Sequence, residues 1–396
     1  MMQISPETQL FIREHSSDDV RVLALQAKKY PDIDMPTAIT QIAGRKVAAE
    51  KIPSWWEIEK IWYPKHLSLE QCSSEITARY KARLLQGDSL TDLTGGFGID
   101  CSFLATGFKS ATYVERQEEL CEIAAHNFPV LNLNHINIKN EDGVTYLQAM
   151  SPVDCLFLDP ARRNEHGEKT VAISDCEPNV AELEELLLQK ANRVMIKLSP
   201  MLDLSLALKE LKQTQEVHIL SVNNECKELL ILLGQTSPTE ISIHCVNLST
   251  KGTQEEQHFV FTREQEQCSE CTYTDSLETY LYEPNASLLK AGAFRSIAAA
   301  YPVRKLHPNS HLYTSDTFIE NFPGRIFRIV NQCSFNKKEV KENLADLKKA
   351  NVTVRNFPAT VAELRKRIHL AEGGDAYLFA STLNNGQKVL IRCEKV

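Results

Sequence analysis

At 396 residues the chain is long enough for two or three domains, each with its own apolar core. Its 43% hydrophobic and 24% charged residues exclude a wholly disordered, collagen-like or coiled-coil molecule. The net charge of −8 is unevenly spread: residues 281–396 carry 18 Lys+Arg against 10 Asp+Glu, and the rest of the chain 26 against 42. An acidic body with a basic C-terminal module is expected, the charge layout of a polyanion-binding appendage.

The stretch Met1 to Glu7 has no basic region leading into an apolar core. No later run approaches the roughly 18 apolar residues of a membrane span, so no membrane partner is expected. Eleven cysteines without framework spacing read as reduced thiols in a cytoplasm. The one Cys-x-x-Cys, Cys268 to Cys271, reads as two loop thiols. Zinc needs four ligands and no second pair stands nearby, so no metal is expected.

Residues 1–85 read as an N-terminal helical domain. Apolar residues recur at three- and four-residue spacing from Asp18 to Lys29, which Pro31 ends, and a second helix from Ile39 to Lys51 stops before Pro53. The tryptophans Trp55, Trp56 and Trp62 cluster with Tyr63 and are expected to pack in a core or between domains. A third helix spans Ser73 to Leu85.

From residue 86 to 280 the pattern alternates. Strands are predicted at Leu90–Leu93, Ala111–Val114, Ile136–Ile138, Val153–Leu158, Arg193–Leu198, Val217–Val222 and Glu228–Leu233, with helices such as Gln117–Phe128 and Val180–Leu188 between the first six. This is the rhythm of βαβ units and a parallel sheet. Only a short link around Asn223-Asn224 joins the last two strands, which permits an antiparallel hairpin and no crossover. Ser242–Leu248 and His258–Thr262 suggest another hairpin. The basic end divides into residues 281–321 and 322–396, a small α+β module with helices at Lys337–Lys349 and Val361–Leu370 and strands around Tyr377–Ser381 and Lys388–Cys393.

The chemistry concentrates where predicted strands end. Asp92, Thr94, Gly95, Gly96, Phe97 and Gly98 follow the first strand and open a helix, and such glycines let backbone approach a ligand closely. Glu115 closes the second strand, placed to accept hydrogen bonds from both hydroxyls of an adenosine ribose. Asp142 and Gly143 follow the third, where the carboxylate can meet an adenine amino group. A dinucleotide fingerprint would set Cys101 where Gly or Ala belongs and would crowd Asp92 and Asp100 around a pyrophosphate. A cationic sulfonium suits those carboxylates better, so S-adenosylmethionine (SAM) is the expected cofactor. Asp159 and Pro160 end the fourth strand in a stiff turn, placed to orient a nucleophile in line with a methyl group. A cysteine nucleophile is disfavoured, because no Pro-Cys pair is present and Cys155 lies mid-strand. Lys197 ends the fifth strand, where either a substrate phosphate or bulk solvent is within reach.

Together these residues resemble the class I SAM-dependent methyltransferases. The Asp92–Gly98 turn is similar to their motif I, Glu115 to the ribose-binding acid, Asp142 to the adenine contact, and Asp159-Pro160-Ala161-Arg162 to motif IV. More closely, Ser68–Glu75, Tyr282–Ala286, Lys290–Phe294, Leu306–Asn309, Phe322–Arg325, Arg355–Pro358 and Gly373–Phe379 resemble a bacterial methyltransferase family. That family carries a ferredoxin-like segment and a C-terminal THUMP-like domain.

The resemblance implies a Rossmann-like methyltransferase sheet, parallel strands closed by an antiparallel hairpin, and an RNA methyltransferase. Asp159, Pro160 and Arg162 would then be catalytic, and the THUMP-like region 322–396 would bind RNA. Ala161 and Arg162 stand where amino-methylating relatives carry a second proline and an aromatic ring. Arg325, Arg328, Arg355, Arg365, Lys366 and Arg367 are expected to meet phosphates of structured RNA, with Lys197 beside them in role. The competing readings are methylation of a small molecule or protein, and a non-catalytic RNA-binding protein that retains the fold.

Overall fold

The computed structural model describes residues 4–162, 172–236, 238–251 and 256–396. Two compact units make up the chain: residues 1–215 with 230–238, and residues 216–229 with 239–396.

The first unit is built on strands β1 (Ser89–Asp92), β2 (Ser110–Glu115), β3 (Ile136–Asn140), β4 (Val153–Leu158) and β5 (Ala191–Leu198). These run parallel in the order β3-β2-β1-β4-β5. Helices Ile99–Ala105, Glu118–Val130, Gly143–Ala149 and Val180–Lys190 connect them. A strand buried on both faces of a parallel sheet reads as a near-continuous apolar run. Cys155-Leu156-Phe157-Leu158 of β4 is buried throughout.

The sheet continues through β6 (Thr214–Val222) and β7 (Glu225–Gly234), and β7 lies between β5 and β6. Only Asn223 and Asn224 link β6 and β7, both with positive φ (50° and 67°), as a tight hairpin turn requires. Parallel strands in the order 3-2-1-4-5 followed by a reversed 7-6 hairpin form the methyltransferase sheet. The expected second hairpin, β8 (Ser242–Leu248) with β9 (Gln257–Thr262), forms and adds to the same sheet: β8 pairs parallel with β6 and antiparallel with β9.

The N-terminal helices belong to the first unit. One apolar cluster joins Phe11, Leu23, Met35, Ala38 and Ile42. A second joins Ile52, Trp55, Ile61, Tyr63 and Ala78 to Phe97, Ile99 and Ile123 of the α/β body. Trp55 is buried, and Trp62 stacks on His126 at 3.7 Å, whereas Trp56 is exposed.

In the second unit, β10 (Tyr280–Pro284), β11 (Arg304–Lys305), β12 (Tyr313–Ser315), β13 (Gly324–Ser334), β14 (Lys349–Val354), β15 (Ala371–Thr382) and β16 (Lys388–Lys395) form one sheet. Its order is β11-β12-β10-β13-β16-β15-β14, antiparallel except for β14 with β15. The helix expected over Lys337–Lys349 ends at Leu344, and β14 starts at Lys349. Residues 351–354 alternate polar and β-branched apolar side chains, and Ala350 is drawn into the core beside Leu364 and Leu378.

Candidate functional site

The carboxyl ends of β1, β2 and β4 lie level, since Asp92 pairs in register with Tyr113 and with Phe157. Between them sits the glycine turn, and the local packing shows why its residues are small. A Cβ on Gly95 would lie 2.3 Å from the Tyr113 ring, and one on Gly143 would lie 2.2 Å from the Leu93 carbonyl oxygen. Gly96 and Gly98 take φ of +54° and +86°, the region glycine enters without strain. Phe97 is buried against Trp55, at 5.2 Å between ring centres, so the helical N-terminal region braces the turn.

Asp92 is 1% exposed. Its Oδ1 accepts from the Thr94 amide at 2.9 Å, while Oδ2 is buried without a hydrogen-bond partner among the described residues. Burial, reinforced by the charges of Asp100, Asp159 and Glu115, pushes its carboxyl well above the ordinary range. Glu115 faces the turn: Oε2 accepts from the Gly96 amide at 2.9 Å and Oε1 from the Gln117 amide at 2.9 Å. The Tyr113 hydroxyl donates to the Gly96 carbonyl at 2.5 Å. The second strand therefore fixes the glycine turn through an acid and a phenol. Asp142 is exposed and caps helix Gly143–Ala149, its Oδ1 accepting from the amides of Val144 and Thr145 at 3.1 and 3.0 Å.

At the end of β4 the Asp159 amide donates to the Thr94 hydroxyl at 2.6 Å, tying the two strand ends together. Pro160 is buried; the backbone of Ala161 and Arg162 pairs with Glu177 and Cys176, and the Arg162 side chain lies outside the described residues.

Lys197 departs from its expected phosphate role. It is 9% exposed, and its ammonium is bonded to Asp159 and lies 4.0 Å from Asp100. Asp100 in turn meets the fully buried Lys81 at 3.0 Å and accepts from the Ser73 hydroxyl at 2.7 Å. Burial raises the Asp100 carboxyl, but the two lysines and Ser73 outweigh it and hold the group below its ordinary value. This chain of alternating charges escaped the sequence reading. The helix Glu75–Ala82 that supplies Lys81 carries charged residues on both its buried and its exposed sides, so the sequence offers no signal for the buried lysine. Burial raises the Cys155 thiol to about 11, which leaves it inert as a nucleophile.

The basic residues of the second unit divide into two groups. Arg325 and Arg355 clamp Glu283, which is 1% exposed: Arg325 Nε donates to Oε2 at 2.8 Å and Arg355 to Oε1 at 3.1 Å. Arg365 donates to the Ala350 carbonyl at 3.1 Å. These three, each half-buried, are bonded to partners within the module. Arg328, Lys366 and Arg367 are exposed, with Arg328 paired to Glu394 at 2.9 Å and Arg367 lying over the Phe335 ring at 4.0 Å.

Family comparison matches a ferredoxin-like domain over residues 280–323 and a THUMP domain-like region over 324–395. Both contribute strands to the single β10–β16 sheet. Among solved structures, a protein of Porphyromonas gingivalis W83 described as a "putative methyltransferase" is 34% identical, covers 100% of both chains and superposes with a TM-score of 0.88. An rRNA methylase from Streptococcus thermophilus is 14% identical over 40% of this chain and 93% of its own, with a TM-score of 0.29. A Streptococcus mutans protein solved in complex with SAH is 14% identical over 40% and 96%, with a TM-score of 0.30. No curated protein matches the chain. The full-length likeness at 34% identity places this chain in the bacterial family of class I methyltransferase-fold proteins that carry a ferredoxin-like segment and a THUMP-like C-terminal domain.

Proposed function

We propose that this chain is a SAM-dependent methyltransferase acting on structured RNA. The observation that carries the reading is Asp92: a buried carboxylate with one oxygen unpartnered among the described residues, set at the end of the central strand beside a glycine turn. An orphaned buried carboxylate is unfavourable unless it takes up a proton or a cationic or hydrogen-donating ligand completes it. A sulfonium cofactor fits that need. Asp92 and the Gly95–Gly98 backbone would hold its charged half. Glu115, which retains lone pairs beyond the two it gives the turn, would hold the ribose, with Asp142 and Gly143 at the base. The cofactor, when bound, supplies an electrophilic methyl group.

The chain's own residues do the rest. Asp159 presents a carboxylate at the same edge, able to accept a hydrogen bond from an amine nucleophile and aim its lone pair. Lys197 fixes the position of that carboxylate, and Thr94 links it to the cofactor side. Exposed Arg328, Lys366 and Arg367 in the THUMP-like region supply phosphate contacts.

Calorimetry of the full chain with SAM tests the first half: binding is expected, and Gly96→Arg should remove it. Mass spectrometry of nucleosides in total RNA from cells lacking the protein tests the second. One methylated nucleoside should be missing. An unchanged nucleoside profile, with SAM binding intact, would redirect the assignment to a substrate other than RNA.

A further inference from the structure

Three histidines and a glutamate that are scattered along the sequence meet on one face of the β6-β8-β9 sheet edge. Glu216 and His218 alternate on β6, so both side chains leave the same face. Parallel pairing sets His244 of β8 directly beside His218, and antiparallel pairing sets Val246 against His258 of β9. The three rings form a stack, 4.3 Å from His218 to His244 and 5.3 Å from His244 to His258. Glu216 Oε2 lies 3.3 Å from His218 Nε2, and His244 Nδ1 lies 3.2 Å from His258 Nε2. One ligand atom each from Glu216, His218 and His244 falls within 4.8 Å of the others.

We propose that Glu216, His218, His244 and His258 bind a divalent transition-metal ion, with zinc the chemical first choice. Two or three imidazoles with one carboxylate form a borderline ligand set that suits zinc rather than magnesium or calcium. Zinc–nitrogen bonds of about 2.0–2.1 Å need the ligand atoms roughly an ångström or more closer together, so binding would require the side chains to turn toward the ion. Burial grades across the site: His218 is 2% exposed, His244 half-buried and His258 open on the outermost strand, which gives the ion a route in from solvent. The cysteine pair Cys268 and Cys271 is a separate thiol site and supplies the control.

The test is cobalt substitution in the full-length protein after chelator dialysis. One Co2+ per chain should bind, giving visible d–d bands without thiolate charge-transfer absorption. His244→Ala should weaken binding at least ~100-fold, since loss of a ligand should exceed the 10–100-fold typical of losing a ligand's supporting contact. His258→Ala, at an exposed position, should weaken it too and keeps the test readable if His244→Ala fails to fold. Binding that survives both substitutions, no binding at all, or thiolate bands that vanish in Cys268→Ser, would overturn the site.

Discussion

A carboxylate such as Asp92 lowers the stability of its own fold. Its native carboxyl lies above the ordinary value of 3.8 because burial disfavours the charge. The folded state thus holds the proton more tightly than the unfolded state. Stability contributed by that proton is present at low pH and is lost as pH rises from about 4 through the raised native value. Asp92→Asn keeps the oxygen that Thr94 uses and removes the titration. Urea unfolding should show the variant gaining on the parent as pH rises, while calorimetry shows SAM affinity reduced. An equal pH slope in both proteins would deny Asp92 its buried state. Gly95→Ala acts differently, driving a methyl into the Tyr113 ring. It should lower stability by ~1–3 kcal/mol and displace the turn. The Gly96 and Gly98 positions were legible in the sequence because a turn with positive φ favours glycine wherever it occurs, whereas the packing that keeps Gly95 small comes from Tyr113 of another strand. The Lys197–Asp159 pair was not, because a lysine at a strand end reads alike whether it reaches solvent or a carboxylate that another strand brings in.

Elements followed the same division. β4 and β8 have the boundaries that their sequences suggest, Val153–Leu158 and Ser242–Leu248, since a largely apolar run marks β4 and Ile243, Cys245, Val246 and Leu248 mark β8 locally. The parallel pairing of β8 with β6 has no local signature and emerges only from the fold. The β6–β7 turn links both levels. Asn224 takes positive φ, its Oδ1 accepts from the Ala286 amide at 2.8 Å and its own amide donates to Asn247 Oδ1 at 2.9 Å. Asn224→Ala adds left-handed strain of roughly 1–2 kcal/mol and strips a hydrogen bond. A loss of about 2–3 kcal/mol by urea denaturation is expected. Asn224→Gly removes only the bond, so it should lose about 1 kcal/mol. Equal losses in the two variants would assign the whole effect to the side chain and none to the backbone.

Across the molecule, formal charge and available charge are different quantities. The +8 balance of residues 281–396 was plain from composition, yet Arg325 and Arg355 are committed to Glu283 and Arg365 to a carbonyl. Pairing decides which cations remain for a polyanion, and pairing is a property of the fold. RNA affinity should therefore respond to Arg328, Lys366 and Arg367. Each phosphate contact releases condensed counterions and adds about 0.7–0.9 to the slope of log affinity against log salt. Replacing all three with glutamine should flatten that slope by about 2–3 while the melting temperature stays near the parent's. Arg325→Ala should do the opposite. It leaves the nearly inaccessible Glu283 with Arg355 as its remaining cation among the described residues, a loss of up to ~3–5 kcal/mol in stability. The salt slope of whatever protein remains folded should be little changed. If the Arg325 variant instead flattens the salt dependence without unfolding, the clamp opens to RNA, and Glu283 competes with phosphate for the same guanidinium.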